Sequence, residues 1–102
     1  MVATLIGKIE FDLQEDRANV TKHDVSLKVA RELEWDGALD WLDQRVDYGE
    51  ERLTLIALAP QANRLFYVAF VIRGGTHRII SLRRANRREV KHYVKQIKAQ
   101  MP

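Results

Sequence analysis

RLFYVAFVIRGGTHRIISLRR, residues 64–84, decides the fold. Two runs of aliphatic, aromatic and β-branched residues, Arg64 to Arg73 and Thr76 to Arg84, flank the pair Gly74-Gly75. Strand formers around two glycines signal a β-hairpin, because a two-residue turn needs positive φ at its central positions. Towards the N-terminus, Pro60-Gln61-Ala62-Asn63 is turn material and Arg52 to Ala59, rich in Leu, Ile and Thr, is a further strand, so the second half opens as an antiparallel meander. Towards the C-terminus, Asn86-Arg87-Arg88-Glu89 has the form of an N-cap and capping box opening a last helix. Val90, Tyr93, Val94 and Ile97 recur along that helix at helical spacing, with Arg87, Arg88, Lys91, Lys95 and Lys98 on its other side.

The first half carries different signals. Thr4 to Phe11 is a strand, and Asp12 with Glu15 fits an N-cap and capping box for a helix running to Lys22 or His23. Ser26 caps a second helix, with Val29, Ala30 and Leu33 as its inward stripe. Trp35 to Tyr48 mixes aromatics with Asp and Gly and forms an irregular connection with room for a short strand. The expected order is βααβββα, an α+β fold in which an antiparallel meander packs with two N-terminal helices and one C-terminal helix. At 102 residues the chain forms one domain, residues 1–102.

Composition narrows the function. No apolar run approaches the ~20 residues of a membrane span, and the first residues lack the pattern of a signal peptide, so a cytoplasmic location is expected. With 0 cysteines, disulfides and thiolate chemistry are excluded, and His23, His77 and His92 show no metal-ligand spacing, so no cofactor or metal is expected. Residues 1–51 hold 6 Lys/Arg against 13 Asp/Glu, whereas residues 52–102 hold 11 against 1, so charges of −7 and +10 make up the net +3. Such asymmetry points to a polyanionic partner for the basic half, or to an acidic half folded over it.

Three groups of residues could carry chemistry. Simple alternation along the last strand puts His77, Ile79, Ser81 and Arg83 on one face and Arg78, Ile80, Leu82 and Arg84 on the other, with Arg73 across the glycine turn near Arg78. Arginine suits a phosphate because its planar fork donates two parallel, charge-assisted hydrogen bonds. Phe66, Tyr67 and Phe70 could stack bases, but aromatics within apolar strands usually pack in a core. Asn19, Lys22 and His23 share one helical face, where His23 could move a ribose hydroxyl proton, or where the two cations merely complement the helix dipole. Glu50 and Arg52 alternate onto one strand face, as a base beside an electrophile or as an ordinary ion pair.

Taken in order, Phe11-Asp12, Asn19, Lys22-His23, Val25-Ser26, Tyr48-Gly49-Glu50, Arg52, Arg73, Arg78-Ile79-Ile80-Ser81, Arg83-Arg84-Ala85 and Glu89 resemble the BrnT-type ribonuclease toxins of type II toxin–antitoxin systems, RelE-like in fold. The resemblance spans roughly residues 10–93. It implies metal-independent endoribonuclease activity by 2′-hydroxyl attack, and neutralisation by a cognate, DNA-binding BrnA-like antitoxin. A homodimer or a toxin–antitoxin hetero-oligomer is a further implication. Its pattern falls on Lys22, His23, Glu50, Arg52, Arg73, Arg78 and Arg83 as catalytic positions, with Arg84, Arg87, Arg88 and Lys91 as flanking RNA contacts. The chain departs from relatives at Asp24, where glycine is usual, at Phe70 and Val71, which stand near common tyrosine and threonine positions, and at Glu15, a common lysine. The competing expectation is a basic nucleic-acid-binding module, or an inactive toxin homologue, that cleaves nothing.

Overall fold

A computed structural model describes residues 8–40 and 52–100. The meander forms as expected: β3 (Leu53–Ala59), β4 (Arg64–Arg73) and β5 (Thr76–Arg84) are consecutive antiparallel neighbours. Gly74 and Gly75 turn the hairpin at φ 54° and 79°, backbone that glycine reaches without a Cβ clash. Two short strands extend the sheet. β1 (Ile9–Glu10) lies parallel to β5, and β2 (Leu39–Asp40) lies antiparallel to β3, so the strand order is β1-β5-β4-β3-β2. β2 falls within the irregular connection, and β1 within the first expected strand.

Helix α1 (Leu13–His23) starts at Asp12, whose carboxylate accepts from the N–H groups of Gln14 and Glu15. The Glu15 carboxylate is turned towards Arg78, 3.6 Å away. α1 ends at Asp24, held in the left-handed region at φ 58° with its N–H bonded to the Val20 carbonyl. A glycine would fit this position better, because an L-residue there crowds its own Cβ.

The second N-terminal helix needs correction. Ser26 caps it as expected, accepting from the Lys28 N–H, but Leu27–Glu32 winds as a 3₁₀-helix rather than an α-helix. The reason lies in the spacing of its buried residues. Leu27, Ala30 and Leu33 stand three apart, which lines them up on one face at three residues per turn. With Val25 they pack against Ala57, Ala59, Phe66, Val68, Phe70, Ile79 and Leu82 to form the core. Asp16 ties this segment to α1, its Oδ1 accepting from Ser26 Oγ at 2.9 Å and the Leu27 N–H at 2.7 Å.

Alternation along β5 also needs correction. Phe70 pairs with Ile79 and Ala69 with Ser81, so Ile80 is an extra residue, a β-bulge. The bulge resets which side chains share a face. Ile79 and Leu82, three apart, both enter the core, while Arg78, Ser81 and Arg83 register against Val71, Ala69 and Tyr67 on the opposite face. Simple alternation had separated Arg78 from Arg83. Helix α2 (Arg87–Gln100) follows β5 and opens with the expected capping box: Asn86 N–H donates to Glu89 Oε1 at 2.8 Å, and Glu89 N–H donates to Asn86 Oδ1 at 2.9 Å. No helix among the described residues is long and apolar enough to cross a membrane.

Candidate active site

The site lies on the sheet face opposite the core. Register places Thr54 of β3 opposite Ala69, Ile56 opposite Tyr67, and Tyr67 opposite Arg83. Arg52, two residues before Thr54, starts out on this same face. Where β5 meets α1, Arg52, Tyr67, Ile80, Ser81 and Arg83 line a cavity of about 460 Å³, together with Lys22 and His23. Glu15, Ala18 and Asn19 of α1 complete its wall.

What brings Lys22 and His23 there is a polar tie. β1 is only two residues long and pairs with β5 at His77 and Arg78, which leaves the later edge of β5 to other partners. The Asn19 side chain takes that place at Leu82: Nδ2 donates to the Leu82 carbonyl at 2.7 Å, and Oδ1 accepts from the Leu82 N–H at 3.2 Å. Nδ2 donates also to the Val25 carbonyl at 2.7 Å. The amide therefore imitates a neighbouring strand's peptide and covers a sheet edge. Its place in the expected Asn19-Lys22-His23 face is thus structural: Asn19 is buried and committed, while Lys22 and His23 one turn later face the cavity.

The electrostatics follow from the neighbours. His23 has its pKa lowered, first by partial loss of hydration and then by the positive charges of Lys22 and Arg83. It is therefore neutral at neutral pH and able to accept a proton. Arg83 is held from two directions. Its guanidinium carbon lies 4.1 Å from the centre of the Tyr67 ring, and Nη1 and Nη2 donate to Oε1 and Oε2 of Glu89, each at 2.8 Å. Burial alone pushes the Glu89 pKa up, but the hydrogen bonds from Arg83 and the Asn86 N–H, with the charges of Arg83 and Arg88, outweigh it and bring the pKa below the usual value.

The expected site residues do not all converge. Lys22, His23, Arg52 and Arg83 come together at the cavity. Arg78 shares their sheet face and contacts Glu15 of the cavity wall at 3.6 Å and Glu10 at 3.5 Å, so acids of the first half do meet part of the basic half. Val71, opposite Arg78, is four residues along β4 from Tyr67, which puts Arg78 about 13 Å along the strand from Arg83. Arg73 lies farther off, beside the glycine turn and about 20 Å along β4 from Tyr67. Arg84, Arg87, Arg88 and Lys91 are exposed where β5 runs into α2. Glu50 lies outside the described residues, as does Tyr48-Gly49.

The sequence reading missed Glu89 and Tyr67 as site components. The capping box gave Glu89 a structural role and hid its reach to Arg83. Phe66 and Phe70 pack in the core as expected, whereas Tyr67 is buried on the opposite face, where it lines the cavity and Arg83 covers its ring. Among the described residues no three His, Cys, Asp or Glu side chains gather as metal ligands.

No curated protein matches the chain. Residues 11–89 match the family described as ribonuclease toxin, BrnT, of type II toxin–antitoxin system, which takes in α1, the meander and the capping box of α2. The chain belongs to the BrnT family of ribonuclease toxins.

Proposed function

We propose that this protein is a metal-independent endoribonuclease whose reaction centre is the cavity between α1 and β5, and that a cognate DNA-binding antitoxin neutralises it. The observation that carries this reading is the meeting of a neutral imidazole, His23, with the cations Lys22, Arg52 and Arg83 in one cavity of about 460 Å³. In the proposed reaction His23 takes the proton from a ribose 2′-hydroxyl, and that oxygen attacks the adjacent phosphorus. Arg83, with Arg52, stabilises the charge building on the non-bridging oxygens. The bond from phosphorus to the 5′-oxygen breaks, and the departing oxygen takes a proton from the Lys22 ammonium. One positioned donor of this kind is worth ~2.7–4 kcal/mol in other enzymes. Arg78 lies farther along the same face between the carboxylates of Glu10 and Glu15, which offset its charge, so the phosphate contacts fall to the cations of the cavity itself.

Incubating purified protein with a labelled RNA in EDTA tests this directly. Discrete fragments are expected. A salt-sensitive mobility shift without fragments would instead identify a binding module, a role the same cations could serve without His23.

A further inference from the structure

We propose that Glu89 is a positioning residue for cleavage: its buried carboxylate fixes the Arg83 guanidinium in one orientation over Tyr67 and offsets its charge. This rests on the ribonuclease reading and names a residue that acts through another. Three observations carry it.

The carboxylate is itself immobilised. Glu89 is 1% exposed, and its Oε1 accepts from the Asn86 N–H at 2.8 Å as well as from Arg83. A capping box needs one carbonyl-type oxygen, which a glutamine supplies equally well. The cap therefore does not call for a charge at position 89, whereas the second oxygen, 2.8 Å from Arg83 Nη2, serves the arginine. Next, Arg83 is constrained by two separate groups. The centre of the Tyr67 ring lies 4.1 Å from the guanidinium carbon, and Glu89 meets the guanidinium through both Nη atoms. An arginine so held loses little rotamer freedom when a phosphate arrives, which is how preorganised donors favour a transition state. An anion in the cavity must then meet Arg83 along an edge other than the one turned to Glu89. Finally, the pair is close to neutral as a unit, so Arg83 holds the RNA ground state less tightly than an unpaired arginine would. Interactions that strengthen only as charge builds on the phosphorane raise kcat rather than lowering KM.

The experiment compares wild type with Glu89→Gln and Glu89→Asp on a labelled single-stranded RNA and on its 2′-O-methyl counterpart, which binds but lacks the attacking hydroxyl. Glu89→Gln keeps the cap and removes the charge. Its kcat should fall about tenfold or more while KM stays the same or falls, and its binding to the 2′-O-methyl strand should gain salt dependence by about 0.7 in logarithmic slope, as expected for one more effective cation on a single strand. Glu89→Asp keeps the charge but withdraws the oxygens, so kcat should fall with the salt slope unchanged. In an Arg83→Ala background, Glu89→Gln should cost no further activity.

A residue that served only the fold would lower the melting temperature and leave kcat per folded molecule unaltered. Wild-type kcat in folded Glu89→Gln, or an equal loss in the Arg83→Ala background, overturns the proposal. If wild type cleaves nothing, the ribonuclease reading fails by itself. The salt slope on the 2′-O-methyl strand then still decides the charge role of Glu89, and an unchanged slope rejects it.

Discussion

Replacing Asn19 by alanine removes three hydrogen bonds at once: two at 2.7 Å to the carbonyls of Val25 and Leu82, and one at 3.2 Å from the Leu82 N–H. The site is buried, with Asn19 6% exposed and Leu82 0%, so these backbone groups do not simply turn to solvent. Each orphaned group costs about 1–3 kcal/mol, and water admitted by the missing side chain recovers part of that. A net loss of about 3 kcal/mol follows, set against a total stability of about 5–15 kcal/mol for an ordinary domain. At roughly 4–8 °C per kcal/mol for a domain of this size, the melting temperature should fall by about 12–24 °C.

Asn19→Asp should do no better, because its carboxylate would confront two carbonyl oxygens. Thermal unfolding followed by circular dichroism measures the drop, and amide hydrogen exchange localises it at Leu82. Lys22 and His23 stand one turn after Asn19, so cleavage should weaken even below the melting transition as α1 loosens from β5. An Asn19→Ala protein within about 1 kcal/mol of wild type, with the Leu82 amide still protected, would refute the edge-covering role.

Three other outcomes are expected. Arg83→Ala should slow cleavage a few hundredfold through loss of one donor worth ~2.7–4 kcal/mol. It should also destabilise the fold by about 2 kcal/mol, less than for a fully buried pair, because the Arg83 side chain is 29% exposed while that of Glu89 is 2% exposed. Adding Glu89→Gln should restore that stability in urea unfolding without restoring cleavage. With His23 as the proposed base and its pKa lowered below 6.5, activity should persist as the pH falls through 6.5 and be lost only at more acid pH. Lys22→Met should move that acid limb upward in a pH profile of kcat/KM, since it removes a charge that disfavours the imidazolium; an unmoved limb rules out His23 as the titrating base. Asp24→Gly, which relieves an L-residue at φ 58°, should stabilise the protein by about 0.5–1 kcal/mol in urea unfolding.

The meander and α2 were legible because their signals are local. Two glycines between strand formers, and Asn86 three residues before Glu89, each specify a turn or a cap without reference to the rest of the chain. The 3₁₀-helix is not evident from sequence, because Val29 and Ala30, four and three residues before Leu33, fit an α-helical stripe with it, and only the burial of Leu27, Ala30 and Leu33 at spacing three departs from that stripe. The bulge at Ile80 was invisible for a different reason. Its sequence, Ile79-Ile80-Ser81-Leu82, suits regular alternation equally well, and only the demand that Ile79 and Leu82 both reach the core breaks the period.

That single inserted residue puts Arg78 on the face of Arg83, which simple alternation along the strand does not. The pairing of Lys22 with His23 was legible from helical spacing, which favours a plain helix-dipole role for them; their place at the cavity beside β5 depends on tertiary packing that spacing does not show. Glu89 shows the limit of local motifs. Asn86 explained it completely in sequence, and Arg83, six residues back on a strand, gave it a second partner.

The chemistry of the cut ends tests the account most directly. A labelled RNA should be digested with wild-type protein in EDTA, and the fragment termini identified by mass spectrometry. Attack by the 2′-hydroxyl, assisted by His23 and Arg83, must leave a 2′,3′-cyclic phosphate on one fragment and a 5′-hydroxyl on the other. Fragments ending in 3′-hydroxyl and 5′-phosphate, or cleavage that stops in EDTA, would contradict the assigned roles of this cavity.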